Sequence, residues 1–171
     1  MSMSELHKPE WYGECAIISD KYNDYVQIKY KCNGTGTLYD YSLFPGINLI
    51  FMDFNCSDIF HEPIPNKNII EIRHYQKGRV EFELRNNKVF HMKEGELCIN
   101  ALANVPAAYS FPFGYSVGLS CVIDKDSIDA KTKQIFSYYN IDVLNLGQEL
   151  EIEKKWFLCR TPQRLLHIFD E

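Results

Sequence analysis

The sequence lacks several features that would identify common classes of protein. No apolar run approaches the roughly 20 residues that cross a bilayer, and no basic flank followed by an apolar segment opens the chain. We therefore expect neither a membrane span nor a secretory signal. The chain also lacks a net positive charge, because its 23 Asp and Glu residues outnumber its 18 Lys and Arg residues and the net charge is -5. A surface that binds duplex DNA is normally basic, so we do not expect this chain alone to hold DNA.

Motifs for metal binding and nucleophilic catalysis are missing as well. The six cysteines include no Cys-x-x-Cys pair, and no nearby histidine completes a zinc spacing. The chain has no Gly-x-Ser-x-Gly elbow and no glycine-rich loop before a helix. We therefore expect no metal, no cofactor and no catalytic residue. Since no secretory signal is expected, the simplest interpretation of the cysteines is reduced thiols in the cytoplasm.

The chain is instead rich in short β-prone segments separated by turn residues. Hydrophobic residues make up 46% of its 171 residues, which is enough for one packed domain with appendages. Alternating or β-branched patterns predict strands at residues 25–30, 37–41, 47–54, 69–75, 79–85, 88–92, 96–100, 106–111 and 115–123. Many short strands with turns between them indicate a mainly β fold, either a sandwich or a barrel.

The pattern becomes helical after residue 123. Asp126 and Ser127 are suited to cap a helix that runs to about residue 139. The apolar face of this helix is formed by Ile128, Ile135, Phe136 and Tyr139. Thr161 and Pro162 favour the start of a second helix, whereas residues 149–153 fit either a strand or a loop.

These patterns divide the chain into three parts. Residues 1–24 are polar and form an N-terminal arm of low regularity, residues 25–124 form the β region, and residues 125–171 form a helical region. Trp11 and Tyr12 on the arm either cover an opening of the β region, pack without a special role or are disordered. Because the second helix has no stop signal at its end, we expect the natural protein to continue beyond this chain.

Two glycine motifs make the β region similar to a known family. Glu71 is followed after six residues by Gly78, and Gly95 begins a later Gly-Glu turn. This order resembles the core of a cupin barrel, and specifically the N-terminal sensor domain of AraC-family transcription regulators. The metal-binding histidines of enzymatic cupins correspond here to positions within 64–67 and to Pro106. The resemblance therefore implies a metal-free, cupin-like β-barrel (a double-stranded β-helix or jelly roll) followed by α-helices.

The same resemblance implies a function. In AraC-type regulators the barrel binds a small-molecule effector, the following helices form a homodimer, and helix-turn-helix motifs further along the chain bind DNA. This chain would then be a cytoplasmic sensing and dimerisation domain and not an enzyme. It would contact DNA only through a C-terminal domain that it does not contain, and it would contact no membrane. The candidate dimer contact is the helical face formed by Ile128, Ile135, Phe136 and Tyr139.

Two other functions fit the same barrel. A metal-independent cupin enzyme, such as a sugar epimerase, needs a paired acid and base in the barrel. Glu71 would then be the base and either Tyr75 or Tyr109 the acid. A third possibility is a domain that has lost its ligand and serves only as a dimer scaffold.

The strand at 69–75 contains the candidate ligand-binding side chains, because its residues alternate between two sheet faces. The cupin resemblance turns Glu71, Arg73 and Tyr75 inward, where a carboxylate and a guanidinium must be paired or serve a ligand. In the alternative, the isoleucines at 70 and 72 are the buried set and the charges lie on the surface. Tyr41 and Tyr109 are aromatic residues that would line the cavity. The predicted ligand-binding residues are therefore Glu71, Arg73, Tyr75, Tyr41 and Tyr109.

Overall fold

The fold is mainly β, with short helices after the last long strand. In the computed structural model of the chain, the described residues are 12–13, 15–60, 65–84, 88–103 and 105–170. Their strands are β1 (Ala16–Lys21), β2 (Tyr25–Tyr30), β3 (Gly34–Phe44), β4 (Ile47–Cys56), β5 (Asp58–Phe60), β6 (Asn66–Leu84), β7 (Val89–Lys93), β8 (Glu96–Leu102), β9 (Pro106–Ser110), β10 (Ser116–Asp124) and β11 (Phe157–Arg160). Their α-helices are α1 (Ala130–Tyr138) and α2 (Gln163–Asp170).

One long strand, β6, connects two groups of strands into a curled antiparallel sheet. The first group has the order β1-β2-β3-β4-β10-β6-β8-β11. In the second group β6 pairs with β7 and β9, and β9 pairs with β5. The N-terminal half of β6 pairs with β10 and β8, while its C-terminal half pairs with β7 and β9. This arrangement confirms the expected mainly β, cupin-like fold with C-terminal helices.

Gly78 is the residue at which β6 passes from one group of strands to the other. Its φ is +86°, a left-handed conformation that residues with a Cβ adopt at a cost. A Cβ on Gly78 would also lie 2.4 Å from the backbone oxygen of Tyr115, which is far inside contact distance. Gly78, one of the two glycines on which the family resemblance rests, is therefore required by both conformation and close packing.

The sheet is covered by apolar residues on both of its faces. The inner face holds the larger core, which includes Ile28, Phe54, Val80, Phe82 and Met92. On the outer face a second cluster brings Ile70 and Ile123 of the sheet against Ile128, Val143 and Ile152 of the C-terminal segment. As a result, β6 is buried on both faces, and its two alternating sets of side chains have different environments.

The predicted strands are largely confirmed, with corrections at β1 and β6 and two short strands that were not predicted. Ala16–Lys21 was assigned to an irregular arm, but it pairs with β2 as the edge strand β1. Residues 69–75 and 79–85 were predicted as two strands, whereas β6 is continuous through Gly78. The short strands β5 and β11 were not predicted, because each has only three or four residues and shows little periodicity.

The helices begin later than the sequence indicated. The N-cap of α1 is Asp129, whose Oδ1 accepts a 2.7 Å hydrogen bond from the backbone N–H of Thr132. The predicted cap is wrong, because Ser127 donates instead to Asp124 at 2.5 Å within the preceding turn. The segment at 149–153, for which the sequence fits either a strand or a loop, is not a strand: it begins within a 3-10 turn at Gln148–Leu150 and continues as turns. No described helix is long and apolar enough to span a membrane.

Gly78→Ala should destabilise the fold more than the matched substitution Gly95→Ala. Gly95 has a similar φ of +76°, but a Cβ there meets nothing within 4 Å. We expect Gly95→Ala to cost about 1–2 kcal/mol from the left-handed backbone alone. Gly78→Ala should cost about 1–3 kcal/mol more from overpacking. Urea unfolding of both variants measures the difference, and equal losses would contradict the close approach at Tyr115.

Candidate functional site

A pocket lies inside the curled sheet, and every residue that lines it is buried. Its cavity volume is about 50 Å³. The lining residues come from both groups of strands and are Tyr30, Leu38, Ile50, Met52, Phe54, Ile59, Glu71, Arg73, Tyr75, Leu102, Tyr109, Phe111 and Ser120. Apolar walls with a few polar groups are typical of small-molecule sites.

The polar centre of the pocket is a buried ion pair on β6. Arg73 donates two hydrogen bonds to Glu71, from Nε to Oε1 at 3.1 Å and from Nη2 to Oε2 at 2.5 Å. Ser120, which lies opposite Arg73 on β10, donates to Glu71 Oε1 at 2.7 Å. Glu71 and Arg73 are 5% and 6% exposed. The inward orientation of these side chains is therefore the one that the structure shows, and the surface alternative is wrong.

Arg73 retains a nitrogen that can bind a ligand. Its Cζ lies 5.1 Å from the ring centroid of Phe82 and 5.7 Å from that of Tyr109, so the guanidinium is held between two aromatic rings. Nη1 is buried and has no hydrogen-bond partner among the residues that the structure describes. An unsatisfied buried donor is costly, so this nitrogen marks the position at which an acceptor would gain most.

Burial and the ion pair control the protonation of the polar groups. Burial is the largest effect on the pKa of Arg73 and lowers it, but Glu71 and the phenols of Tyr75 and Tyr109 together raise that pKa well above its ordinary value. Burial raises the pKa of Tyr75 and that of Tyr109, against an opposing effect of Arg73. Both phenols therefore stay protonated near neutral pH.

An apolar wall faces this polar centre. Phe54 and Phe111 stack with ring centroids 5.0 Å apart and an interplanar angle of 17°. Tyr30 lies 5.9 Å from Phe54, centroid to centroid. Leu38 and Met52 complete this side of the pocket. A ligand that matched both sides would combine an apolar body with a polar end.

A second polar cluster near the pocket was missed by sequence reasoning. Asp40, fully buried on β3, accepts a hydrogen bond from the hydroxyl of Tyr12 and another from Asn48 Nδ2 at 2.6 Å. The hydroxyl of Tyr30, a pocket residue, donates to the backbone oxygen of Tyr12 at 3.1 Å. Tyr12 is thus part of the core. The sequence feature that could have indicated this cluster is Asp40, because it lies two positions after Leu38 and so shares the inward face of a predicted strand.

Four of the five predicted ligand-binding residues meet in the pocket, and Tyr41 does not. Tyr41 lies on the outer face of the sheet, where its ring centroid is 5.0 Å from that of Tyr25 and 5.8 Å from that of Phe51. The reason is the alternation of β3, which turns Leu38 and Asp40 inward and so turns Tyr41 outward. Trp11 lies outside the described residues.

The predicted dimer residues occupy three different environments. Ile128 is 5% exposed and belongs to the apolar cluster under the C-terminal segment. Ile135 and Phe136 are half-buried, and Phe136 packs against Phe44 with centroids 6.4 Å apart. Tyr139 is 66% exposed. Of this set, Tyr139 is the most accessible to a partner, whereas Ile128 is used within the chain.

The described residues at the cupin metal positions form no ligand cluster. Within the described ranges, no group of three or more His, Cys, Asp or Glu side chains could hold a metal ion. Asn66 and Lys67 are described and Pro106 begins β9, while position 64 lies outside the described residues. Glu71 is the one carboxylate among the described residues that line the pocket.

Comparison with known proteins identifies similar structures but no family. No protein-family model and no curated protein matches this sequence. An HTH_3 family transcriptional regulator from Vibrio cholerae is 16% identical with a TM-score of 0.39, over 50% of this chain and 50% of that one. The Cupin_2 domain of an XRE family transcriptional regulator from Enterobacter cloacae is 15% identical with a TM-score of 0.39, over 50% and 94% of the two chains.

An AraC-like transcriptional activator, CuxR, is also similar. It is 12% identical with a TM-score of 0.37, over 67% of this chain and 48% of that one. This chain therefore spans about half of the length of the Vibrio and AraC-like regulators. At these identities and TM-scores, no conclusion about function follows, and the fold is defined by the strand pairing described above.

Glu71→Gln should destabilise the protein far more than Glu81→Gln. Both residues pair with an arginine two positions away on β6, but the side chains of the Arg79–Glu81 pair are 37% and 33% exposed, against 7% and 7% for Arg73–Glu71. Removing one partner of a buried pair costs about 3–5 kcal/mol, whereas an exposed pair contributes about 1 kcal/mol or less. Urea unfolding gives both values. Similar losses would show that Glu71 and Arg73 are not buried together.

Proposed function

We propose that this domain binds a small-molecule effector in the barrel pocket and is the sensing part of an AraC-type transcription regulator. The observation that supports it most is the partly satisfied polar centre. Glu71, Arg73 and Ser120 form a hydrogen-bonded group beside an apolar wall, and Arg73 keeps one unpaired donor in the described structure. The regulator part of the proposal comes from the sequence resemblance, with a DNA-binding domain that this chain does not contain.

Strand β6 contacts both the pocket and the C-terminal helix α2. Arg73 and Tyr75 of β6 face the pocket. The alternate residues His74 and Gln76 lie on the opposite face of the strand, against α2. The His74 ring stacks on Phe169 of α2 with centroids 4.2 Å apart, and Gln76 Nε2 donates to the Phe169 carbonyl. His74 Nδ1 also lies 2.9 Å from Thr161 Oγ1 at the start of α2. A ligand that moves β6 would therefore also move α2.

Such a signal requires the ligand to favour one arrangement of β6 and α2 over another. A coupling free energy of about 1–3 kcal/mol is typical of regulatory proteins. Two stacked rings and two hydrogen bonds are enough contacts to supply it. The proposal includes a homodimer formed through α1, because its exposed residues Tyr138 and Tyr139 are 81% and 66% accessible.

The proposal assigns no catalysis to the pocket. In the epimerase alternative Glu71 would be the general base, and a base must reach the proton that it abstracts. Here both oxygens of Glu71 already accept hydrogen bonds, Oε1 from Arg73 and Ser120 and Oε2 from Arg73. This geometry favours a binding group over a proton acceptor.

A metabolite screen by thermal shift should find compounds that stabilise the protein through the pocket. A ligand at 100 times its dissociation constant adds about 2.7 kcal/mol to the free energy of unfolding. Methyl-labelled methionines provide the location, since Met52 lines the pocket and Met92 is buried away from it. We expect stabilising compounds to shift the NMR signal of the Met52 methyl more than that of Met92.

Two results of this screen would contradict effector binding in the barrel. One is a broad screen in which no compound stabilises the protein. The other is a set of stabilising compounds that leave the Met52 methyl unchanged.

Tyr139→Glu should weaken self-association without affecting the fold. A charge at an exposed aromatic of a dimer contact commonly costs about 1.4 kcal/mol or more, which is a tenfold change in the dimer dissociation constant. Phe136 is a less suitable position, because its packing against Phe44 contributes to the fold. Val89→Glu is the matched control, since Val89 is 66% exposed on β7 in the other group of strands. Sedimentation velocity measures both, and an unchanged Tyr139→Glu profile would remove α1 from the interface.

A further inference from the structure

The pocket offers hydrogen-bond donors in excess of acceptors. Both carboxylate oxygens of Glu71 are occupied by Arg73 and Ser120, so the main acceptor of the site is already used. Arg73 Nη1 is buried and has no partner within the described part of the chain. The hydroxyl of Tyr75 stays protonated and can donate, because burial raises its pKa against the opposing effect of Arg73. A ligand that fits this centre must therefore bring an acceptor.

The charge of the pocket is already balanced. Glu71 contributes one negative charge and Arg73 one positive charge, and no other charged side chain is among the described residues that line the cavity. A bound carboxylate would leave a net negative charge among buried apolar walls, which is costly unless a proton enters with it. It would also compete with Glu71, since a carboxylate binds a guanidinium best through two nitrogens, and Arg73 has two of its three already bonded to Glu71.

We propose that the effector is an uncharged molecule with an apolar, preferably aromatic, body and one acceptor oxygen, such as a ketone, ester or amide carbonyl, that binds Arg73 Nη1. This inference rests on the proposed sensing function and specifies the ligand class of its pocket. The apolar body lies against the stacked rings of Phe54 and Phe111. The ion pair acts as a fixed, neutral support that orients the free nitrogen.

Three probes of nearly equal shape test the charge and the acceptor separately. Acetophenone has a neutral acceptor, benzoate has a charged one, and isopropylbenzene has none. Their dissociation constants are measured by NMR titration, with the Met52 methyl as the reporter of the pocket. We expect acetophenone to bind at least about tenfold more tightly than isopropylbenzene, which corresponds to one hydrogen bond to a charged donor. We also expect benzoate to bind more weakly than acetophenone and to improve as the pH falls.

Two conservative variants then connect the acceptor to the site. Tyr75→Phe removes a hydroxyl that lines the pocket and should weaken acetophenone binding by about threefold to tenfold. Tyr41→Phe removes the hydroxyl of a tyrosine on the outer face and should leave the constant unchanged. Because neither variant touches the ion pair, both are expected to fold.

The outcomes separate this inference from the function on which it rests. Benzoate binding as tightly as acetophenone near neutral pH, or isopropylbenzene binding equally well, would overturn the neutral-acceptor ligand and leave effector sensing intact. Predominantly anionic compounds from the metabolite screen would do the same. Failure of every probe, together with an empty screen, would overturn both proposals.

Discussion

The hydrogen-bonded ion pair between Glu71 and Arg73 is the constraint on which the interior of this domain depends. A carboxylate and a guanidinium enclosed by apolar residues are tolerated only when each satisfies the other. Here two hydrogen bonds connect them, Ser120 adds a third, and the rings of Phe82 and Tyr109 flank the guanidinium. Among the described residues, this arrangement leaves the buried Nη1 of Arg73 without a hydrogen-bond partner, and the candidate site is built around that nitrogen.

Strand β6 explains how one element can support both the pocket and its surroundings. Alternation places the ion pair on the inner face, and the outer face holds Ile70 under the C-terminal segment and His74 against α2. Gly78 then lets the same strand change partners and close the curled sheet. Residues of this one strand thus line the pocket and also contact the helix at the C-terminal end.

Much of the fold could be predicted from the sequence, because the strands follow local signals. Alternating apolar residues and glycine turns indicated most of the long strands, and the family resemblance carried by Glu71 and Gly78 implied a curled sheet. Four of the five proposed pocket residues also meet as expected. Tyr41 was misplaced because aromatic character does not reveal which sheet face a residue occupies, whereas the neighbouring Leu38 and Asp40 set the alternation.

The parts that could not be predicted depend on contacts between distant segments. Nothing local shows that Tyr12 packs on Asp40, or that Phe157–Arg160 adds a strand beside β8. The division into arm, barrel and helical region, and the homodimer, remain predictions. The burial of both faces of β6 was not predicted either. The sequence was interpreted as burying either the set that contains Glu71 and Arg73 or the set that contains Ile70, but not both.

Hydrogen exchange at the Arg73 side chain tests the central claim most directly. In a nitrogen-15 NMR spectrum, the Nε–H of Arg73 should exchange slowly with water, because it is buried and bonded to Glu71 at 3.1 Å. The exposed Arg164 serves as the fast-exchanging reference in the same sample. A protected Arg73 signal that also shifts when a pocket ligand is added is the predicted result. Exchange as fast as that of Arg164 would show that the ion pair is open to water, and would contradict the account.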